Sequence, residues 1–272
     1  MPELPEVETI KRKLKKELIN QVIKDVKIYW PNIIVNPSIS LFEKEIKNEK
    51  ILDIKRRGKW LLMELINNYL IVHLRMEGKF FIKDKGEERD KHEHIIFNLE
   101  EKQLRYHDMR KFGQMHLIKK EELLNYPPLK KLGIEALSKD LTFKYLKDKL
   151  KRFKKPIKTT LLDQTIISGI GNIYANEILY LSLINPNKPS NLLTNKELEQ
   201  IIINTKIVLE KAIKYEGTTV KSYTSLDGEK GGFQSFLLVH NQEGKKCSRC
   251  QTLIKKIKIG GRGTYYCPKC QG

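Results

Sequence analysis

The chain has 272 residues, enough for one or two domains with a sizeable core. It carries 52 Lys and Arg against 33 Asp and Glu, a formal net charge of +19 at pH 7. This balance argues against an acidic or halophilic protein and favours a polyanionic partner, nucleic acid first and an anionic membrane surface second. No apolar run approaches the roughly 20 residues of a membrane span, and the N-terminus lacks a signal-peptide pattern. We therefore expect a cytoplasmic protein.

Arginine is scarce in this basic chain, since ten of the 52 cationic residues are Arg and 42 are Lys. A position that is nevertheless Arg indicates a need for the planar guanidinium, which has five donors and which Lys cannot imitate. Such positions in the segments discussed below are Arg56, Arg57, Arg75, Arg110 and Arg262.

The first half of the chain predicts a leading helix followed by strands. Residues 5–19 begin with a proline and acids and continue with apolar residues at helical spacing. From 22 to 118, short β-type runs indicate a β-sandwich or barrel-like domain. Two hairpins are predicted within it. They join residues 60–66 to 69–74 through Asn67-Asn68, and residues 104–107 to 114–118 around residues 109–113.

The second half is helical in pattern. Residues 119–140, with Pro127-Pro128, are interpreted as a linker. Helices are predicted over 141–153, 159–167, 172–183 and 194–215. Residues 217–235, rich in Gly, Ser and Thr, suggest a mobile loop. The expected domains are a β-sandwich domain (1–120), a linker (121–140), a helical domain (141–245) and a small C-terminal module (246–272).

The strongest local pattern is a pair of Cys-x2-Cys motifs near the C-terminus. Its four cysteines are Cys247, Cys250, Cys267 and Cys270. Four thiolates in two close pairs suit a tetrahedral, structural zinc ion in a ribbon-like hairpin, whereas disulfides or free thiols are the alternatives. The hairpin turns at residues 260–263, where Arg262 either reaches into a groove or lies on a solvated turn.

Two further patterns each allow two interpretations when considered alone. The glycine turn of residues 168–171 leads into a helix at Asn172, which is either a phosphate site with Lys154, Lys155 and Lys158 nearby or an ordinary helical corner. At the N-terminus, removal of the initiator Met would give Pro2 a free secondary amine, a nucleophile that forms a cationic iminium with an aldehydic carbon. The alternative is that Pro and Glu simply start a helix.

Several motifs along the whole chain resemble those of one family. They are the N-terminal MPELPEVET, then RGKWLL (57–62), HLRMEGKF (73–80), DMRKFG (108–113), LDQ with GIGNIYA (162–175) and GRGT before the last cysteine pair (261–264). The chain is similar, in the same order, to the bacterial formamidopyrimidine-DNA glycosylases. The implied fold class is α+β multidomain, with an N-terminal β-sandwich with a leading helix, a C-terminal helix-two-turns-helix domain and a zinc-ribbon hairpin.

The resemblance implies a bifunctional enzyme that removes oxidised purines from duplex DNA and cleaves the abasic site by β,δ-elimination. Pro2 corresponds to the nucleophile, Glu3 to the acid and Glu6 to its supporting carboxylate. Lys59 corresponds to the lysine associated with β-elimination, and Arg262 to the arginine that grips phosphate and assists δ-elimination.

The resemblance also implies DNA contacts, one zinc ion and a monomer. Met76, Arg110 and Phe112 match the residues that fill the space left by the extruded base; read without the resemblance, Met76 and Phe112 would be core residues and Arg110 a solvated charge. His92, Lys155 and Asn172 match positions that contact phosphate. The expected partner is damaged double-stranded DNA, at the nucleoid of the cytoplasm, and no membrane.

The chain departs from the family pattern at two places. Val239-His240-Asn241 stands where Val-Tyr-Gly is common, so that a tyrosine contact to phosphate is missing or replaced. The sequence from Glu216 to Thr219 lacks the usual paired glycines. Two alternatives stay open: an endonuclease VIII-like enzyme for oxidised pyrimidines, and a non-catalytic zinc-ribbon protein that binds nucleic acid.

Overall fold

A computed structural model describes residues 1–218 and 231–272 and separates two compact units. The first unit comprises Met1–Lys130 and Glu216–Gly231, and the second Lys131–Tyr215 and Gly232–Gly272. The predicted mobile loop of residues 217–235 lies largely outside the described residues. None of the helices in the described part of the chain is both long and apolar enough to cross a membrane.

The first unit contains three α-helices and eleven strands in its described residues. The helices are α1 (Leu4–Leu18), α2 (Ile39–Ile46) and α3 (Pro127–Lys130). The strands are β1 (Val22–Ile23), β2 (Asp25–Ile28), β3 (Ile34–Asn36), β4 (Glu49–Lys50), β5 (Asp53–Arg57), β6 (Trp60–Glu64), β7 (Asn68–His73), β8 (Lys79–Asp84), β9 (Glu93–Asn98), β10 (Lys102–His107) and β11 (Gln114–Lys119).

The predicted leading helix is confirmed as α1. Pro5 lies in its first turn, where the missing N–H is harmless. The backbone N–H of Glu3, the N-cap residue, donates to Glu6 Oε2 at 2.9 Å, which satisfies a donor at the helix start. The face made by Val7, Ile10, Leu14 and Leu18 is buried.

Two sheets form the body of this unit. One has the order β2-β9-β10-β8 and the other the order β3-β11-β7-β6-β5. A single hydrophobic core takes side chains from both sheets and from α1 and α2, such as Phe97, Tyr106, Leu70 and Phe42. The predicted β-sandwich with a leading helix is therefore confirmed, because each sheet buries one face on this core.

The first predicted hairpin is confirmed and the second is wrong. Strands β6 and β7 pair antiparallel, with Trp60 opposite His73. Strand β10 pairs with β8 and β9, whereas β11 pairs with β7 and β3, so the two strands belong to different sheets. Residues 108–113 thus carry the chain from one sheet to the other. Both strands contribute alternate residues to the same core. Because the two strands of a hairpin would show the same alternation, the sequence pattern does not distinguish the two arrangements.

The second unit contains four α-helices and four strands in its described residues. They are β12 (Ile134–Glu135), α4 (Phe143–Leu150), α5 (Ile157–Leu162), β13 (Ile167–Ser168), α6 (Asn172–Leu181), α7 (Asn195–Lys214), β14 (Lys255–Ile259) and β15 (Arg262–Tyr266). Strands β14 and β15 pair antiparallel, as the predicted zinc hairpin requires, with Ile259 opposite Arg262.

The predicted helices of this unit are present, but all four are shorter than predicted; the helix expected over 141–153, for example, spans Phe143–Leu150. The helix expected over 159–167 ends at Leu162, and Ile167–Ser168 pair in parallel with β12. Asp163 explains the stop, because its Oδ1 accepts hydrogen bonds from the Thr165 N–H at 3.0 Å and the Thr165 hydroxyl at 2.7 Å. A side chain that bonds to the backbone two residues ahead favours a turn over a helix.

Candidate active site and zinc centre

The N-terminal segment is buried around two carboxylates. Pro2 is buried, and Glu3 and Glu6 are each 2% exposed. Glu6 Oε2 accepts from the Glu3 N–H, while its Oε1 accepts from the Thr218 N–H at 2.9 Å and the Thr218 hydroxyl at 3.3 Å. Gly217, with φ of +80°, lies so close that a Cβ there would be 2.5 Å from Glu6 Oε1. Glu6 thus fixes the position of Glu3.

The α-amino group at this terminus has an unusual environment. Burial lowers the pKa of the Met1 amine, while the charges of Glu3 and Glu6 oppose that effect and the charge of Lys59 adds to it. A lowered pKa increases the fraction of neutral amine, which is the nucleophilic form. The segment therefore places an amine, two carboxylates and a lysine within electrostatic reach of one another.

Lys59 lies in the tight turn between β5 and β6 and is 5% exposed. Arg56 braces this turn: its Nη1 donates to the Gly58 carbonyl at 2.9 Å and its Nε donates to Glu8 Oε2 of α1 at 3.1 Å. Although burial raises the pKa of Glu8, its hydrogen bonds and ion pairs with Lys11 and Arg56 outweigh that effect and hold the pKa below its usual value. The scarce arginine at position 56 therefore ties the Lys59 turn to the helix that follows Glu3.

The three residues expected to fill an opened base stack lie on two loops of the first unit. Phe112 is 51% exposed, and the guanidinium of Arg110 lies over its ring, 4.8 Å from the centroid. Met76 is half-buried. The hydrophobicity of Phe112 alone would predict a core residue, but Phe112 does not lie in the core. Its exposure suits contact with a partner.

His92 lies on the segment before β9, and its backbone N–H donates to Asp90 Oδ1 at 2.8 Å. A residue that the sequence argument missed, Arg105, organises this segment. Arg105 is 1% exposed and donates to Glu93 Oε2 at 2.9 Å, the Glu88 carbonyl at 3.0 Å and the Glu87 carbonyl at 2.7 Å. The scarcity of arginine was the available signal, because this geometry needs several donors at once.

In the second unit, Asn172 is the first residue of α6, directly after the glycine turn. Its Nδ2 donates to the Gly263 carbonyl of the zinc hairpin at 3.1 Å, and its buried Oδ1 has no hydrogen-bond partner within the described residues. Lys158, fully buried, donates to the Asn172 carbonyl at 3.0 Å. Lys155 instead forms an ion pair with Asp163 at 2.8 Å.

Two further residues of α6 hold the segment with the unusual His240. Glu177 is 2% exposed and accepts the N–H groups of Leu238 at 2.8 Å, Val239 at 3.1 Å and His240 at 2.8 Å. The side-chain amide of Asn176 lies 2.8 Å from His240 Nδ1. Burial and the charge of Lys158 lower the pKa of His240 to about 4, so the imidazole is neutral near pH 7.

The four cysteines form a centre for one structural zinc ion. All four Sγ atoms lie within 4.8 Å of one another, with Cys247 to Cys270 at 3.9 Å and Cys250 to Cys267 at 3.4 Å. A tetrahedral ion with Zn–S bonds of about 2.3 Å puts its sulfur ligands about 3.8 Å apart, so the donor set and its spacing fit zinc. Four thiolates leave no open coordination position, which makes the role structural.

Arg262 is exposed and begins β15 at the tip of the hairpin. Gly260 and Gly261 turn the chain there with φ of +54° and +76°, values that favour glycine. A Cβ at Gly260 would also lie 2.4 Å from Thr159 Cγ2. The hairpin therefore presents an arginine at a tip that the cysteine centre and a packed glycine turn hold in place.

Three family models match the chain in order. They are the formamidopyrimidine-DNA glycosylase N-terminal domain over residues 1–115, the formamidopyrimidine-DNA glycosylase H2TH domain over 132–224, and the zinc finger found in FPG and IleRS over 244–272. A formamidopyrimidine-DNA glycosylase of Bacillus cereus is 42% identical over 273 residues, which cover 100% of this chain and 99% of the relative.

Solved structures agree with these matches. A Lactococcus lactis FPG mutant in complex with DNA containing Fapy-dG has a TM-score of 0.95 and 39% identity, over 99% of each chain. The complex of Lactococcus lactis Fpg with abasic-site DNA has a TM-score of 0.94 and 40% identity, again over 99% of each chain.

Fold and sites together define a zinc-finger DNA glycosylase and abasic-site lyase of base-excision repair, with a β-sandwich domain and an H2TH domain. The relatives share this architecture along the full length of the chain. The chain belongs to the formamidopyrimidine-DNA glycosylase family.

Proposed function

We propose that this enzyme removes oxidised purines, 8-oxoguanine and formamidopyrimidines, from duplex DNA through an imine at Pro2 and then cleaves the strand by β,δ-elimination. The observation that carries the proposal is the buried terminus, in which Pro2, Glu3 and Glu6 are all buried and Glu6 Oε2 accepts from the Glu3 N–H. The binding of Fapy-dG DNA by a Lactococcus lactis relative supports the purine substrate.

The residues have distinct roles in this proposal. After removal of Met1, the Pro2 nitrogen attacks C1′ of the damaged nucleoside and the bond to the base breaks. Glu3 supplies a proton to the sugar ring oxygen or the departing base, and Glu6 holds Glu3 in place. The resulting iminium withdraws electrons from the sugar, so that Lys59 assists the first elimination and Arg262 the second.

The remaining residues bind the DNA. Base extrusion costs a few kcal/mol, and the filling of the vacated space by Met76, Arg110 and Phe112 offsets part of it. His92, Asn172 and Lys155 are assigned to phosphates; the ion pair of Lys155 with Asp163 must open or be shared for this contact. The zinc ion supports the hairpin that carries Arg262, and the enzyme acts as a monomer.

The domain roles and the cellular location follow from these assignments. Residues 1–120 form the catalytic domain, 121–140 the linker, 141–245 the helical DNA-binding domain and 246–272 the zinc hairpin. Because the substrate is chromosomal DNA, the enzyme works in the cytoplasm at the nucleoid. A preference for oxidised pyrimidines, the endonuclease VIII-like alternative, is tested by comparing excision of 8-oxoguanine opposite cytosine with excision of thymine glycol; faster removal of the glycol would overturn the purine assignment.

Borohydride trapping tests the nucleophile. Pro2→Gly should sharply reduce both covalent trapping on lesion DNA and strand cleavage, because the secondary amine is lost. DNA affinity should change little. The matched control, Pro127→Gly at an exposed proline, should behave like the unchanged enzyme. Intact mass of the purified enzyme should show that Met1 is absent. Normal cleavage by Pro2→Gly, or full activity of protein that retains Met1, would contradict the mechanism.

A further inference from the structure

The two loops that carry Met76, Arg110 and Phe112 meet at one buried pair of residues. We call residues 74–78 the Met76 loop and residues 108–113 the Arg110 loop. Tyr106 and Asp108, at the end of β10 and the start of the Arg110 loop, are both fully buried.

Asp108 fixes both ends of the Arg110 loop. Its Oδ1 accepts from the Arg110 N–H at 3.0 Å, and its Oδ2 accepts from the Gly113 N–H at 2.8 Å. Its own N–H donates to the His92 carbonyl at 3.0 Å, and its carbonyl accepts from His94 Nε2 at 2.9 Å. Hydrogen bonds from backbone donors to a buried carboxylate are among the stronger ones in proteins. The carboxylate therefore defines the path of this loop.

Tyr106 connects the two loops. Its hydroxyl lies 3.5 Å from Asp108 Oδ2. The same hydroxyl occupies the space beside two glycines, since a Cβ would lie 2.2 Å from it at Gly78 and 1.7 Å from it at Gly113. These glycines end the Met76 loop and the Arg110 loop, and neither has a positive φ. Their lack of a side chain thus makes room for the tyrosine, which touches both loops at once.

Each loop contains one residue in the left-handed backbone conformation, directly beside one of the residues assigned to fill the base stack. Arg75, next to Met76, has φ of +53°, and Lys111, next to Phe112, has φ of +59°. A residue with a side chain pays about 1–2 kcal/mol for this left-handed conformation. Such residues persist where the surrounding structure over-determines them, and they concentrate at functional sites. The Tyr106–Asp108 pair provides that constraint.

We propose that Tyr106 and Asp108 are positioning residues that set Met76, Arg110 and Phe112 in the mutual arrangement needed to fill the space left by an extruded base. Burial and the neighbouring Asp108 raise the pKa of Tyr106 well above its ordinary value, which keeps the hydroxyl a donor at any working pH. The proposal rests on the role assigned above to the three residues on the loops.

The test compares a reaction that needs the loops with one that does not. Excision of 8-oxoguanine from duplex DNA requires the space in the stack to be filled, whereas cleavage of a preformed abasic site in single-stranded DNA does not. Asp108→Asn replaces one acceptor oxygen by a donor that faces an N–H group. It should slow duplex excision about 10- to 100-fold and change single-strand cleavage less than about twofold. Tyr106→Phe should give the same pattern with a smaller loss.

A second readout follows the DNA directly. 2-Aminopurine placed beside the lesion fluoresces more strongly when the stack opens, and both variants should show a smaller rise on binding. Tyr69→Phe is the matched control, because it also removes a buried tyrosine hydroxyl, one that bonds to Glu64. This control should leave duplex excision, single-strand cleavage and fluorescence unchanged.

The outcomes separate this inference from the function on which it rests. Normal duplex excision by Arg110→Ala and Phe112→Ala would overturn the role assigned to the loops. Impaired excision by those two variants together with normal excision by Asp108→Asn and Tyr106→Phe would overturn the positioning role alone. Equal losses of both reactions in Asp108→Asn and Tyr106→Phe, in step with a lower Tm, would also overturn it. If Asp108→Asn does not fold, Tyr106→Phe alone still tests the positioning role.

Discussion

At the scale of single residues, the choice between arginine and lysine follows the number of hydrogen bonds required. Arg56 joins a carboxylate and a carbonyl, and Arg105 serves a carboxylate and several carbonyls from full burial. The ammonium of Lys59, by contrast, lies where its charge acts on the terminal amine. The scarcity of arginine pointed to Arg56 and was also the available signal for Arg105, but nothing in the sequence says which carbonyls this strand residue will face.

Three buried histidines give the enzyme a predictable sensitivity to acid. Burial, then the charges of Arg75 and Lys59, lowers the pKa of His73 to about 3. Burial and the charge of Arg75 lower the pKa of His116 to about 4, and the pKa of His240 is also about 4. In the unfolded chain a histidine titrates near pH ~6.5. Below that pH the unfolded state binds protons that the native state does not, so stability falls as the pH falls.

We predict that each of these histidines lowers the free energy of unfolding by about 2 kcal/mol between pH 8 and pH 5. His116→Asn isolates one of them, since its amide oxygen can still accept from the Tyr126 hydroxyl, which lies 2.7 Å from His116 Nδ1. Thermal unfolding as a function of pH should show that this variant loses less stability than the unchanged protein as the pH falls. Protonation of the zinc thiolates lowers the stability of the unchanged protein and of His116→Asn equally. Parallel curves of stability against pH for the two proteins would therefore contradict the prediction.

At the scale of elements, the zinc hairpin and α6 behave as one structural part. Asn172 at the start of α6 donates to the hairpin at Gly263, and the hydroxyl of Tyr180 near its end lies 3.2 Å from Cys247 Sγ. Gln271 also donates to the Ile184 carbonyl at 2.9 Å, just beyond this helix. The position of Asn172 should therefore depend on the metal.

Removal of zinc should therefore weaken DNA binding through both Arg262 and Asn172. We predict about one zinc per chain in the purified enzyme, and little or none in Cys250→Ser. This variant should bind lesion DNA more weakly in fluorescence anisotropy and expose the hairpin to proteolysis. As a control, wild-type enzyme stripped by a chelator should recover affinity when zinc is returned, whereas Cys250→Ser should not. Normal binding and cutting by the variant would refute the structural role of the metal.

Helix ends are set by residues that are close together in the chain, whereas strand pairing is not. The spacing of Val7 to Leu18 and the residues at both ends of α1 predict a helix without reference to the rest of the molecule. The Thr194 hydroxyl and Glu197 cap the start of α7 in the same way. Pairing of β10 with β8 and β9 depends instead on residues distant in sequence, and the prediction of a hairpin with β11 failed for that reason.

At the scale of the whole molecule, the formal charge of +19 favours association with the polyanionic DNA backbone. Each phosphate that a Lys or Arg neutralises releases counterions, so affinity falls with salt. A footprint of six or more phosphates predicts a loss of about 10³-fold or more between 50 and 200 mM salt. Equilibrium binding to duplex DNA at a series of salt concentrations measures this slope. Arg262→Ala should reduce the slope by about one, and a slope near zero would refute binding through the basic surface.

The sequence by itself determined the class of this protein. The four cysteines predict their own metal because thiolate chemistry and short spacing suffice, and the N-terminal motif resembles that of one family in a run of consecutive residues. Both depend on residues that are neighbours in the chain.

Only the tertiary structure decided how the side chains of the candidate sites are held. Glu6 reaches Thr218 across 212 positions, Glu177 reaches His240 across 63, and Tyr106 fits against Gly78 and Gly113 on two separate loops. Such contacts follow from the packing of sheets, helices and loops on a common core. Local propensity carries no information about them, because the partners meet only after the chain has folded.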